Sequence, residues 1–357
     1  MARRGAAFVA LSVAVALVFI VDSKPASATP QFARETNMPC FSCHTHVPRL
    51  NEFGQKFLAN GYRLPNGHKP LTTYPWWFEI VASQTRDAEA DETSKVTYDD
   101  SSVSSFGYFD RQRLQYRFTW SPLAREVEFS ALQRIGGSAA IQVGKIMPLS
   151  QYDPGMDWFL STPIYLEPED NVSTPEGSFG PFAASGDIFG ARLVLAKGSP
   201  MPYGNGWVAA MTVPFSNEGG DGVLFDTGHK AKGAFFEAYR RQGLDSFGVN
   251  MYSGVDGRHY YGAIGQYKLG KFYLQGGGSY AIWDGGKTHA YSIGLDWTRS
   301  FHDAYALRLD VQDGVVSYVP TASFILGAPN SAFQLVVESN IRAGTKPVTT
   351  AALIYRF

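Results

Sequence analysis

From about residue 76 to the end of the chain, hydrophobicity alternates residue by residue. That is the period of a β-strand with two unlike faces. Within 305–312, Tyr305, Leu307, Leu309 and Val311 share one face, and Ala306, Arg308, Asp310 and Gln312 share the other. The same alternation runs through 114–120, 291–298 and 332–342, where Leu114, Ile293 and Leu335 oppose Gln115, Ser292 and Gln334. Two architectures accommodate such strands. A sandwich turns the apolar face into a core, whereas a transmembrane barrel turns it toward lipid and keeps the polar face inside.

Three features favour the barrel. Aromatic residues cluster at strand ends, as interfacial girdles do. The alternating runs match the roughly 9–11 residues that a tilted strand needs to cross a bilayer. The chain also ends on Phe357 within an alternating run, which resembles the assembly signal of bacterial outer-membrane proteins. Mean hydropathy is −0.15 and 45% of residues are hydrophobic. Those values exclude a bundle of transmembrane helices but not a barrel, whose strands average to mild hydropathy.

Strands are expected near 76–84, 106–120, 127–135, 139–147, 157–167, 187–196, 207–215, 232–242, 246–254, 259–269, 271–282, 288–300, 304–313, 317–327, 331–342 and 349–357. The expectation is an all-β transmembrane antiparallel β-barrel, porin-like, of about sixteen strands, or about fourteen if 157–167 is not one of them. An even count returns both ends to the periplasmic side. The longer connections 85–105, 168–186 and 216–231 then face outward.

The N-terminal segment reads differently. Arg3 and Arg4 precede an apolar run over 6–21, and Ala26-Ser27-Ala28 is a cleavage pattern. Residues 1–28 are thus expected to be a secretory signal peptide. Cys40-Phe41-Ser42-Cys43-His44 follows, the C-x-x-C-H signature of c-type haem attachment. Two thiols a turn apart can each add to a porphyrin vinyl group, and the next histidine then meets the iron as proximal ligand. These are the chain's two cysteines. A redox disulfide lacks the surrounding βαβ pattern, and a zinc site would need a fourth ligand such as His46 or His68.

Residues 29–72 therefore read as a small α-helical monohaem c-type cytochrome domain, with one covalently attached haem c. Residues 73–357 read as the outer-membrane porin-like β-barrel. After the motif, Pro48 suits the first turn of an amphipathic helix. Leu50, Phe53, Phe57 and Leu58 recur at helical spacing, and Asn60-Gly61 stops it. The distal iron ligand is expected to be His68, with Met38 as the alternative; an open site is also compatible. His46, two residues from His44, is expected to face elsewhere. So short a domain rarely builds its own core. The haem would act as a staple, and the barrel would supply the missing walls from a position at the periplasmic mouth.

Two charged clusters add detail. Asp87, Glu89, Asp91, Glu92, Asp99 and Asp100 crowd the first outer loop beside Arg86 and Lys95. They serve either to solubilise that loop or to attract a cation. Arg111, Arg113 and Arg117 lie on a polar strand face, to meet haem propionates or to pair with acids across the lumen. A net charge of −1 argues against a nucleic-acid partner.

The stretch Phe32-Ala33-Arg34-Glu35-Thr36-Asn37-Met38-Pro39-Cys40-Phe41-Ser42-Cys43-His44, with Phe53-Gly54, Phe57 and Gly61-Tyr62 after it, resembles the N-terminus of the outer-membrane porin–cytochrome c fusions of iron-oxidising bacteria. Asn37 stands where the pattern expects Gly. The resemblance implies a monohaem N-terminal domain on a barrel of about sixteen strands, with Cys40, Cys43 and His44 binding haem. It further implies electron transfer from an extracellular donor, with Fe(II) expected, to a periplasmic carrier such as a soluble cytochrome c. Outer-membrane lipid and an extracellular metal ion would be its other partners. The expected location is the outer membrane of a Gram-negative bacterium, with both termini periplasmic. Fe(II) oxidase activity would be the enzymatic form of this reading. The competing classes are a solute-transport porin with a structural or sensory haem, and a haem peroxidase.

Overall fold

The computed structural model describes residues 31–59, 64, 76–98, 101–109, 114–123, 126–146, 188–196, 205–215, 233–254, 259–283, 286–327 and 333–356. The expected signal segment 1–28, the candidate ligand His68, the expected strand 157–167, and Asp99, Asp100, Arg111 and Arg113 lie outside the described residues.

The chain opens with a small module. Helix α1 (Gln31–Thr36) leads into a 3-10 turn, Cys40–Ser42. A short hairpin follows, β1 (His44–His46) and β2 (Arg49–Leu50), and then helix α2 (Glu52–Ala59). Pro48 is not in the helix as the sequence suggests. It lies in the hairpin turn, and α2 begins four residues later. The reason is Asn51, whose Oδ1 accepts from the Gly54 amide at 2.9 Å. An Asn at that position caps a helix better than a Pro three residues upstream can start one.

The rest is a barrel. Its strands are β3 (Trp76–Asp87), the two-residue β4 (Glu92–Thr93), β5 (Ser102–Phe109), β6 (Leu114–Ser121), β7 (Glu126–Arg134), β8 (Ala139–Ile146) and β9 (Ile188–Ala196). They continue with β10 (Gly206–Pro214), β11 (Gly233–Gln242), β12 (Asp245–Gly254), β13 (His259–Leu269) and β14 (Phe272–Trp283). The last five are β15 (Gly286–Thr298), β16 (Asp303–Gln312), β17 (Val315–Leu326), β18 (Phe333–Arg342) and β19 (Val348–Arg356). Leaving out β4, sixteen long strands among the described residues close into one antiparallel cylinder. Strand β19 seals it against β3, with Arg356 opposite Glu79 and Val348 opposite Asp87.

The expected number is met by a different route. The run at 106–120 is not one strand but two, β5 and β6, paired from Phe109↔Leu114 to Val103↔Trp120. Strand β8 pairs directly with β9 from Ala139↔Leu195 to Ile146↔Ile188, so the cylinder closes without the run at 157–167, which lies outside the described residues. The strand gained at 106–120 makes up the count, and every strand from β9 onward keeps its expected direction.

Which way the pleat faces decides between sandwich and barrel. In β15, Ile293 is 53% exposed and Asp296 is 0% exposed. Tyr291, Leu295 and Trp297 point out beside Ile293, while Ser292 and Thr298 are buried. The same inversion holds on β9, where Leu193 and Leu195 are exposed and Arg192 is buried. A water-soluble fold does the reverse; an apolar outer wall over a polar interior is the surface a bilayer solvates. Inside, Arg192 donates to Thr212 at 2.9 Å and to Glu237 at 3.0 Å. The interior is not uniformly polar, since Leu132, Val194, Val208 and Tyr239 form an inward apolar cluster.

Because the number of long strands is even, the chain enters and leaves the cylinder at one end. The N-terminal module sits at that end, touching β5, β14, β15, β17, β18 and the turn between β15 and β16. The three longest connections, 88–101, 147–187 and 215–232, all join strands at the opposite end. Tighter hairpins use residues suited to them. Asp313 (φ 48) and Gly314 (φ 86) form a two-residue turn with both φ positive, the geometry that matches strand twist.

Candidate haem site

The C-x-x-C-H motif is shaped by its neighbours rather than by a long helix. Cys40 and Cys43 close one 3-10 turn, with the Cys43 amide donating to the Cys40 carbonyl at 3.2 Å. Asn51 holds that turn from behind. Its Nδ2 donates to the Ser42 carbonyl at 2.9 Å, and its amide donates to the Cys43 carbonyl at 2.8 Å. Helix α2 then lies directly on the motif. A Cβ on Gly54 would stand 2.2 Å from the Cys43 carbonyl oxygen, so only glycine allows this approach. Upstream, Asn37 has φ 54 after α1. Gly and Asn are the residues that favour this left-handed conformation, which accounts for Asn where Gly was expected.

These contacts surround a cavity of about 300 Å³. Cys40, Cys43, His44 and Met38 line it, as do Phe53, Phe57 and Leu58 of α2. Phe57 lines the cavity and also meets the edge of Phe32 of α1, with ring centres 5.3 Å apart. The far wall belongs to the barrel, from which Trp77, Phe106, Ile325, Gln334 and Arg356 reach in. Sequence reasoning missed these five. Their one signal was that the module is too small to enclose a porphyrin alone.

The donor set suits a haem. The Pro48 carbonyl can only accept, so His44 donates Nδ1–H to it at 2.9 Å. That fixes the tautomer with the lone pair on Nε2, the arrangement metal-ligating histidines use. Burial, against the opposing hydrogen bond to Pro48, brings the His44 pKa down to about 4, so the ring is neutral near pH 7. Neither thiol is in a disulfide, and burial raises both above the ordinary thiol range. Among the described residues, no three His, Cys, Asp or Glu side chains are grouped to hold an ion.

His46 is engaged elsewhere. Its Nδ1–H donates to the Phe301 carbonyl at 2.9 Å, and its Nε2 accepts from the Ser323 hydroxyl at 2.7 Å. It is a docking residue and not a ligand, as expected. It lies on β1, two residues along the strand from His44. Arg49 reaches further in. Its guanidinium pairs with the buried Asp296 and lies 3.9 Å over the Tyr273 ring. Gln31 joins β5, donating to the Phe106 carbonyl at 2.7 Å.

Of the charged clusters, Arg117 does not line the cavity. It pairs at 3.2 Å with Glu128 of the neighbouring strand β7, an acid as expected but beside it in the wall and not across the lumen. In the first loop, Asp87 accepts from the Glu89 and Ala90 amides, and Asp91 stands 3.7 Å from Arg86.

No protein-family model matches this chain, and no curated protein matches it. Solved structures do. Salmonella typhi OmpF, in complex with daunomycin, superposes with a TM-score of 0.55 at 10% identity, covering 79% of this chain and 97% of that one. A loop-deletion form of OmpT, an outer-membrane protein of Vibrio cholerae, gives 0.51 at 8% identity over 79% and 98%. An anion-selective porin from Comamonas acidovorans gives 0.50 at 12% identity over 79% and 98%. The barrel is porin-like. At such identities the likeness is one of fold, and it says nothing of the module at the mouth.

Proposed function

We propose that this chain is an outer-membrane porin-like barrel of a Gram-negative bacterium that carries one covalently attached haem c at the mouth where its termini lie. We further propose that it passes electrons between an extracellular donor, Fe(II) being the expected one, and a periplasmic carrier such as a soluble cytochrome c. The termini would then be periplasmic. The observation that carries this reading is the convergence of Cys40, Cys43 and a tautomer-locked His44 on one cavity. Cys40 and Cys43 would be the attachment points and His44 the proximal ligand. Met38 also lines the cavity, which supports it as a distal ligand; His68 is the other candidate. A haem here would supply one-electron exchange between ferrous and ferric iron. The resemblance to porin–cytochrome fusions supports the same reading.

A second reading is a solute-transport porin whose haem is structural or sensory. The likeness to porins speaks for this reading more than for the first, as does the polar interior around Arg192, Thr212 and Glu237. Two measurements on the purified full chain separate them. Stopped-flow absorbance reads reduction of the haem by Fe(II), and planar-bilayer recording reads conductance. The electron-transfer reading expects rapid haem reduction and a conductance well below that of an open porin. Porin-sized conductance with a haem indifferent to Fe(II) would replace it with the second reading.

A further inference from the structure

The barrel wall does more than shelter the cavity. Arg356 and Trp77 line it from the seam where the last strand closes on the first. Trp77 and Glu79 are neighbours on the inner face of β3, and Glu79 is the cross-strand partner of Arg356. The Arg356 guanidinium is held from two sides. Its Nε stands 2.5 Å from Glu79 Oε2, and its Nη1 donates to Gln334 Oε1 at 2.7 Å. A guanidinium has five N–H donors in a fixed fork, so these bonds orient it and leave capacity for another acceptor. Trp77 supplies the second observation. Its indole Nε1 is buried and has no hydrogen-bond partner among the described residues. A buried donor left unpaired is costly, and here it sits on a residue that lines a cavity suited to a haem.

We infer that Arg356 and Trp77 form a carboxylate-binding site on the barrel seam that takes a propionate of the haem attached to Cys40 and Cys43. Arginine recognises carboxylates through charge-assisted and often paired hydrogen bonds, and an indole N–H is a donor only. Glu79 already takes the Nε edge of the guanidinium, so a propionate would be met by the N–H donors that remain and by the indole, not by an unneutralised charge. Gln334 links the site to the module, donating to the Val47 carbonyl at 2.7 Å and to Ser323 Oγ at 2.8 Å. This seam, and not Arg111, Arg113 or Arg117, would then be where the propionate is met. Because β19 is the strand that completes the cylinder, the site exists only when the barrel is closed. The inference rests on the haem reading above.

The test uses the full chain in detergent with R356Q, R356K and W77F. Haem content is read by pyridine haemochrome, barrel closure by heat-modifiable gel mobility, and the site by midpoint potential together with the propionate bending band in resonance Raman spectra. Loss of a positive charge and a donor beside the haem favours the ferric state. R356Q should therefore keep its haem, lower the potential and shift the band. W77F should shift the band with a smaller fall in potential, and R356K should retain most of the wild-type potential. If R356Q does not fold, W77F and R356K carry the test. Potentials and bands unchanged in W77F and in every folded Arg356 variant would overturn this site alone. A native chain without covalent haem would overturn the haem reading first, and this site with it.

Discussion

Arg49 of the N-terminal module and Asp296 of strand β15 form an ion pair that is almost wholly shielded from water, with the Tyr273 ring packed against the guanidinium. The two residues come from different parts of the fold, and their meeting fixes how the module seats in the mouth. Removing one partner of such a pair leaves a buried charge uncompensated, at a cost of about 3–5 kcal/mol. Asp296→Asn should accordingly loosen the module while leaving the cylinder closed. Hydrogen exchange should rise across 31–59 and stay low in β14–β16, and Arg49→Met combined with Asp296→Leu should restore much of the protection. Equal protection in D296N and wild type would show that the pair does not hold the module.

Gly54 gives a sharper steric test. Alanine there would place a methyl carbon 2.2 Å from the Cys43 carbonyl, so α2 must retreat from the motif. Overpacking of this kind costs roughly 1–3 kcal/mol. The expected outcome is a reduced yield of covalent haem with unchanged gel mobility of the barrel. A G54A protein with full haem content would show that α2 need not lie on the motif.

How far the sequence foretold this structure can be argued from particular residues. The barrel was legible because Ile293, Leu295 and Trp297 must all face one way once Asp296 faces the other. The break at 110–113 was not, since Leu114 resumes the alternation and no Gly or Pro marks a turn there. The Cys40, Cys43 and His44 set was legible because its spacing is local. Arg356, Trp77 and Gln334 were not. Their meeting with the motif depends on which strand closes the cylinder, and no short window of sequence carries that.

His46 makes docking sensitive to acid. Burial lowers its pKa from 6.5 to about 4. The folded value lies below the unfolded one, so the unfolded chain takes up the proton first. The docked state is therefore fully stable above pH 6.5 and weakens as the pH falls from there toward 4. The loss over that window is roughly 3 kcal/mol at most. Limited proteolysis of the module in a Cys40→Ala, Cys43→Ala chain should speed up as pH drops from 7 to 4.5, and less so in His46→Gln. A flat profile in the parent would refute it.

On the outer wall, Ile293→Arg would set a charge on the exposed face near the middle of β15. Such a substitution costs about 2–4 kcal/mol at a bilayer midplane. Urea titration of the chain folded in lipid vesicles should show that loss, whereas Ile293→Leu should be nearly neutral. A matching stability for I293R would mean that this face does not meet lipid.

The module occupies one end of the cylinder, and the three longest connections gather at the other. Strands of ten or so residues at a barrel's tilt separate those ends by roughly 25 Å. With a haem bound in the module, a mineral grain or a folded donor stopped among the far loops would still have the length of the cylinder between it and the iron.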